Sequence, residues 1–390
     1  MGYKLPVVAT FLLPVKTALL VFPLIALVVM LPVAVHSYRS RGRAGGWTTL
    51  VFYCFLFYLL AAAMQTVIPL PSDPAGYCAE QTYASTPQLR PFYFLQVLEE
   101  RAGGDWSLRA MVGNGALWST ALNVVLLAPL GFFLRYLVGM RLLSAVAVGA
   151  ATSLLFELTQ LTGLWFVYPC AYRLFSVDDL MLNTVGAALG WLVAGPLARL
   201  LPSLEPERDR RRYATRVTTS RRLFALLADL VGFVAVVGIV LGLIVLFGGT
   251  VVGQGTIVVI LAAVWFLLVP ALTGSTPGKR AMLLRLARTD GRRAGPLSIV
   301  VRNGVLLSPM WLAWLALSVD RWDFFDAPHQ LLIPAGILLS LFVVGIWTPL
   351  AVLVGGDPGP HERLSRTVNV AIVPQAPPPP VPEPEKVASP

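Results

Sequence analysis

Seven polar side chains stand out because they fall within or beside long apolar runs. An ionisable group inside hydrocarbon is costly and is held there for a reason. Glu157 and Gln160 are spaced i, i+3 and share a helix face. Asp178 and Asp179 open the next apolar run, where Asp179, Asn183, Gly186 and Gly190 follow i, i+4, i+7, i+11. That pattern is one stripe. Its glycines let another helix come close, so the acid and the amide look into a bundle rather than at lipid. Asn123 sits on an earlier run, and Arg173 lies in the gap just before Asp178. At 1.5 Å per residue, Glu157 lies roughly 10 Å below the end of its run, on the side where Asp179 begins the next. Acids, amides and one arginine therefore converge on a pocket, with Arg173 and Asp178 or Asp179 as the natural charge pair. The plainer alternative is that Asp178 and Asp179 cap a helix start, favoured by its dipole, while Glu157 and Gln160 tie helices together.

A second set lies further along. Arg222 and Asp229 are spaced i, i+7 on one face, with Asp229 two turns into an apolar run. Arg302 and Asn303 begin a later run, and His361 and Glu362 follow the last one. An Arg222–Asp229 pair that simply anchors a helix is the plainer reading here. Other chemistry is absent from the pattern. His36, His329 and His361 are far apart, which argues against a histidine metal site. No phosphate-binding glycine loop follows a strand, and no nucleophile has an adjacent base. Neither a metal nor a cofactor is expected, and no residue is assigned a catalytic role.

These residues must be positioned by membrane helices. Of 390 residues 56% are hydrophobic and 13% charged, with mean hydropathy +0.73. Soluble domains carry roughly 25% charged residues. The deficit excludes a soluble enzyme, a secreted disulfide scaffold and a disordered chain. A crossing needs about 20 apolar residues. About nine such stretches are legible, roughly at 15–35, 47–70, 114–137, 142–164, 178–201, 223–247, 255–273, 299–318 and 331–354. They are continuous rather than alternating, which predicts an all-α polytopic membrane protein in two bundles and not an outer-membrane barrel. The first is read as a retained span, since its basic flank follows it.

The net charge of +10 then gains a location. Arg39, Arg41 and Arg43, Arg135 and Arg141, eight arginines from Arg199 to Arg222, Lys279 to Arg293, and Arg363 with Arg366 fill alternate gaps. The positive-inside rule makes that side cytoplasmic, placing the N-terminus outside and the C-terminus inside. It also accounts for the basic 205–222 stretch without a nucleic-acid partner. In this topology the pocket opens outward. Cys78 and Cys170 fall on the outer, oxidising side and are expected to pair, while Cys54 is read as a core residue of the second span. Leu283, Leu284, Leu286 and Ala287, interleaved with Arg285 and Arg288, suggest an amphipathic helix on the inner leaflet. Four regions follow: a first unit over 1–201 with about five helices, a basic linker over 202–220, a second unit over 221–370 with about four helices, and a disordered Pro-rich tail over 371–390.

Three ordered segments of the first unit resemble motifs of the VanZ-like family: Asn-Val-Val-Leu-Leu-Ala-Pro-Leu-Gly-Phe (123–132), Glu-Leu-Thr-Gln (157–160) and Arg-Leu-Phe-Ser-Val-Asp-Asp-Leu-Met-Leu-Asn-Thr-Val-Gly-Ala (173–187). The resemblance implies a context of low-level resistance to the glycopeptide teicoplanin. The second unit resembles the RDD family through Arg-Arg-Leu-Phe-Ala-Leu-Leu-Ala-Asp (221–229), Thr-Pro-Gly-Lys-Arg (276–280), Val-Arg-Asn (301–303) and His-Glu-Arg-Leu-Ser-Arg-Thr (361–367). That family is named for one arginine and two aspartates. Arg222 and Asp229 match the first two, and Glu362 stands where the second aspartate would align. The resemblance implies transport, including sodium/proton exchange.

Three functions compete. The first is a binding protein of a bacterial plasma membrane whose outer pocket engages membrane lipid, a lipid-linked cell-wall precursor or a glycopeptide, lowering sensitivity to envelope-acting antibiotics. The second is an ion or small-solute transporter using Glu157, Asp179 and Asp229. The third is an intramembrane enzyme on a lipid carrier, with Glu157 or Asp179 as general acid or base.

Overall fold

A computed structural model describes residues 7–70, 73–80, 86–249, 254–309, 311–312, 336, 338–342, 345–346 and 359–373. Seven described helices are long and apolar enough to cross a membrane, and the chain is an all-α polytopic membrane protein. The crossing segments are Leu12–Arg41 within α1 (Val7–Arg41), α2 (Trp47–Val67), α6 (Gly115–Tyr136), α7 (Leu142–Leu161), α9 (Val177–Ala198), α11 (Thr219–Leu246) and Gly255–Thr273. The last is composite: α12 (Gln254–Ala263), a π-turn (Val264–Leu268) and α13 (Val269–Thr273). Many of their large apolar side chains point outward, Leu143 83% and Leu20 82% exposed. Such a surface suits lipid, where burying it inside the protein brings no gain.

Shorter elements fill the gaps. The stretch between α2 and α6 holds α3 (Pro74–Glu80), α4 (Tyr93–Ala102) and α5 (Leu108–Gly113). A single turn, α8 (Gly163–Phe166), follows α7, and α10 (Pro206–Tyr213) precedes α11. Later come α14 (Pro277–Ala281), β1 (Leu284–Arg288), α15 (Pro296–Leu306), α16 (Pro360–Ser365) and β2 (Thr367–Ala371). Of the expected span at 299–318, α15 covers the first part while residues 310 and 313–318 lie outside the described residues, as does most of the expected span at 331–354.

Two sequence expectations are corrected. Residues 284–288 form a strand, not an amphipathic helix. Leu283 adopts a positive φ of 53° after α14, and β1 pairs antiparallel with β2, Leu284 opposite Ala371 and Arg288 opposite Thr367. Leu284, Leu286 and Ala287 are buried while both arginines are exposed, a pattern that a short helix face would share. Cys54 is exposed on α2 rather than buried in a core.

Contacts divide the chain into two compact units: 1–29 with 45–204, and 30–44 with 205–390. In unit 1 the core is Leu127, Leu130, Leu134, Ala145 and Ala187, with Phe55, Tyr58 and Trp191 against it. The glycines of α6 and α9 permit it. A Cβ on Gly186 would run into the Val124 carbonyl, one on Gly190 into that of Ala128, and one on Gly131 into that of Ala187. In unit 2 the core is Ala34, Tyr38, Ala225, Met282 and Leu284.

Candidate functional site

In unit 1, α6 and α9 bring Asn123 and Asp179 together, and Asn123 Nδ2 donates to Asp179 Oδ1 over 2.6 Å. One helix away, Asn183 Nδ2 donates to Ser153 Oγ on α7 (3.0 Å), and Ser153 Oγ donates to the Asp179 carbonyl (3.5 Å). Glu157, one turn further along α7 and buried, accepts the Ser176 amide at the start of α9 over 2.9 Å. Gln160 Nε2 donates to the Thr66 carbonyl at the end of α2 (3.1 Å), and Arg173 Nη1 to that of Gln65 (3.2 Å). All seven side chains singled out in the sequence line one cavity of about 760 Å³: Asn123, Glu157, Gln160, Arg173, Asp178, Asp179 and Asn183.

Adjacent aspartates divide the work. Asp178 is buried and accepts two backbone amides of the long connecting segment, Phe92 N at 2.6 Å and Phe94 N at 2.8 Å. Asp179 faces the cavity. Neither forms an ion pair with Arg173 among the described residues: Asp178 is occupied by amides and Asp179 by Asn123. The connecting segment is fastened at further points. Gln88 bridges residues 175–177 through its own N–H and carbonyl (2.9 and 3.0 Å), and Tyr77 Oη donates to the Tyr172 carbonyl (2.7 Å). Cys78 and Cys170 are joined in a disulfide. Gln88 and Arg101 also line the cavity, and sequence reasoning missed both because they lie in stretches without apolar period.

Unit 2 gathers its charges differently. Asp229 accepts the Thr276 hydroxyl (2.5 Å), the Gly278 amide (2.7 Å) and the Trp265 indole N–H (3.3 Å). It thereby fastens the Thr-Pro-Gly turn to α11, and a Cβ on Gly278 would collide with the Ala225 carbonyl. The expected Arg222–Asp229 pair does not form. Arg222 lies 3.7 Å from Glu362, which is bound more closely by Arg302 at 2.7 Å and by Asn369 Nδ2 at 3.0 Å. Of the adjacent pair it is Arg221 that is fully buried, and it donates to the carbonyls of Met282, Ala214, Arg216 and Leu283 at 2.8–3.1 Å. Adjacent arginines lie about 100° apart around a helix, so spacing alone does not choose between them. Burial tends to raise the Glu362 carboxyl, but Arg302 and Arg222 outweigh it and hold it below its usual range. Burial, with Arg302 beside it, pushes His361 down to about 3, so the imidazole is neutral. Burial also lowers Lys279 to about 8, against the pull of Asp229.

No cluster of metal-binding type occurs among the described residues. Chemically, the unit 1 cavity offers carboxylate and amide oxygens near one arginine, whereas the unit 2 groups bond mainly to one another. Residues 55–200 match the VanZ/LLP1 family and residues 216–355 the RDD family. Neither a curated protein nor a solved structure matches the chain. The order and extent of the two matches make the chain a VanZ-like domain followed by an RDD-family domain.

Proposed function

We propose that this protein is a multi-pass plasma-membrane protein of a bacterium, N-terminus outside and C-terminus cytoplasmic, whose VanZ-like domain binds an envelope lipid or glycopeptide-type ligand. The observation that carries this reading is the convergence of all seven polar residues on one cavity. A cavity of about 760 Å³ falls in the size range of ligand sites, which are mostly apolar with a few placed polar groups. Tyr58, Leu126, Pro129 and Phe156 supply such walls. Binding there would sequester or protect an envelope component and so lower sensitivity to teicoplanin, the context that VanZ-like proteins suggest.

Expressing the chain in a susceptible bacterium, alongside Glu157→Gln and Asp179→Asn, tests this. Each variant is expected to lose any resistance while remaining at the same level in the membrane. Unchanged resistance in both removes the cavity as its cause.

Transport through the RDD-family domain is the second reading. It is favoured by Lys279, a half-buried amine lowered to about 8 beside Asp229, which exchanges a proton near physiological pH. Proton or sodium flux in vesicles that Lys279→Gln abolishes would support it. Flux indifferent to that change counts against it.

A further inference from the structure

The cavity of unit 1 is short of donors. Asn183 is 3% exposed, and its Oδ1 accepts no hydrogen bond. Ser153 Oγ accepts from Asn183 Nδ2 and donates to the Asp179 carbonyl, which fixes the amide with its oxygen on the unpaired side. Gln88 Oε1, on the same lining, is likewise buried without a partner. Glu157 uses Oε2 for Ser176, and Asp179 uses Oδ1 for Asn123, leaving one oxygen on each carboxylate without a bond among the described residues. Four acceptors, two of them on carboxyl groups, thus border one space. Buried polar groups are normally satisfied, so this set points to an occupant that brings N–H donors and positive charge.

The rest of the lining narrows the occupant. Arg173 is exposed at the cavity and spends a single N–H on Gln65, which leaves the remaining face of its guanidinium for an anionic oxygen. Three apolar lining residues are also exposed, Val15 at 42%, Leu122 at 37% and Val125 at 59%. The cavity thus combines polar acceptors, an arginine and exposed apolar residues that suit acyl chains. A primary ammonium supplies three N–H donors. A quaternary ammonium supplies none, and an anionic headgroup without an amine would meet Glu157 and Asp179 with like charge.

Resting on the binding reading above, we propose that the cavity takes the headgroup of a phospholipid bearing a primary ammonium, with the ammonium between Glu157 and Asp179 and the phosphate toward Arg173.

The test uses the full chain in detergent, examined by native mass spectrometry with phosphatidylethanolamine, phosphatidylcholine and phosphatidylglycerol of identical acyl chains. Phosphatidylethanolamine is expected to be retained at least tenfold more strongly than phosphatidylcholine, which differs only in its methylated amine. Glu157→Gln with Asp179→Asn should erase that preference, and Arg173→Gln should weaken both lipids alike. Because the lipid comparison is made on the unaltered chain, it holds even where a variant misfolds. Equal retention of the two lipids overturns the proposal, as does a preference that survives the double substitution. Glu157-dependent retention of phosphatidylglycerol instead overturns the ammonium assignment while leaving the binding reading standing. Indifference of all three lipids, and of a teicoplanin probe, to the cavity substitutions ends both.

Discussion

Asp229 carries three donors on its two oxygens, whereas Asp179 carries one. Glu362 is clasped by Arg302, Arg222 and Asn369, whereas Glu157 has a single backbone amide. All four acids lie on or beside long apolar helices, and the sequence marks them in the same way. The difference lies in their neighbours. In unit 2 the acids are saturated and hold short elements to α11 and α15. In unit 1 they keep capacity in reserve at the wall of a cavity. An ionisable residue in an apolar setting is thus a mark of purpose, but the purpose is decided by how many of its lone pairs the protein itself uses.

The contrast can be broken by measurement. Glu362→Ala leaves Arg302 as an uncompensated buried cation, and unfolding in detergent is expected to shift by about 3–5 kcal/mol. A variant as stable as the parent would refute the clasp. Asp229→Ala strands the Thr276 hydroxyl and the Gly278 amide, at about 1–3 kcal/mol, again seen in thermal unfolding. Asp178→Asn removes one of two acceptors from the Phe92 and Phe94 amides, at about 1 kcal/mol. Proteolysis within 86–114 is expected to quicken, whereas Asp179→Asn next to it should leave that rate unchanged. Glu157→Gln and Asp179→Asn should move stability by less than about 1 kcal/mol, with their effect confined to binding.

The last prediction is a pH dependence. Lys279 titrates at about 8 in the folded chain against 10.5 for an ordinary lysine, so between these values the unfolded chain binds more protons. Stability should gain from this group as pH rises from about 8 toward 10.5, and lose that gain as pH falls back through 8. Lys279→Gln should remove this contribution from the unfolding profile. A wild-type profile that falls in step with that of the variant over this window would refute it.

The long helices were legible because a crossing demands a continuous apolar run, which nothing else in a sequence imitates at that length. The α6–α9 packing was legible for a related reason: Gly186 and Gly190 mark where backbones touch. The cavity set was legible because polar residues are scarce among apolar ones. What escaped depended on distant partners. The strand at 284–288 exists only because 367–371 pairs with it, some eighty residues away along the chain. Arg221 and Arg222 differ only in which way each points, and Glu362 chose Arg222 and Arg302 by tertiary position. Gln88 sits in a stretch whose path is set by its bridge to residues 175–177 and by Asp178.

Helix α1 carries a consequence for how the gene can be cut. Its residues from Met30 onward belong with the second unit, where Ala34 and Tyr38 form part of the core and Tyr38 Oη meets Ser220 Oγ at 3.1 Å. A chain started at residue 205 would be born without one wall of its own interior, however cleanly the family boundary is respected. Supplying residues 30–44 as a separate peptide should restore it.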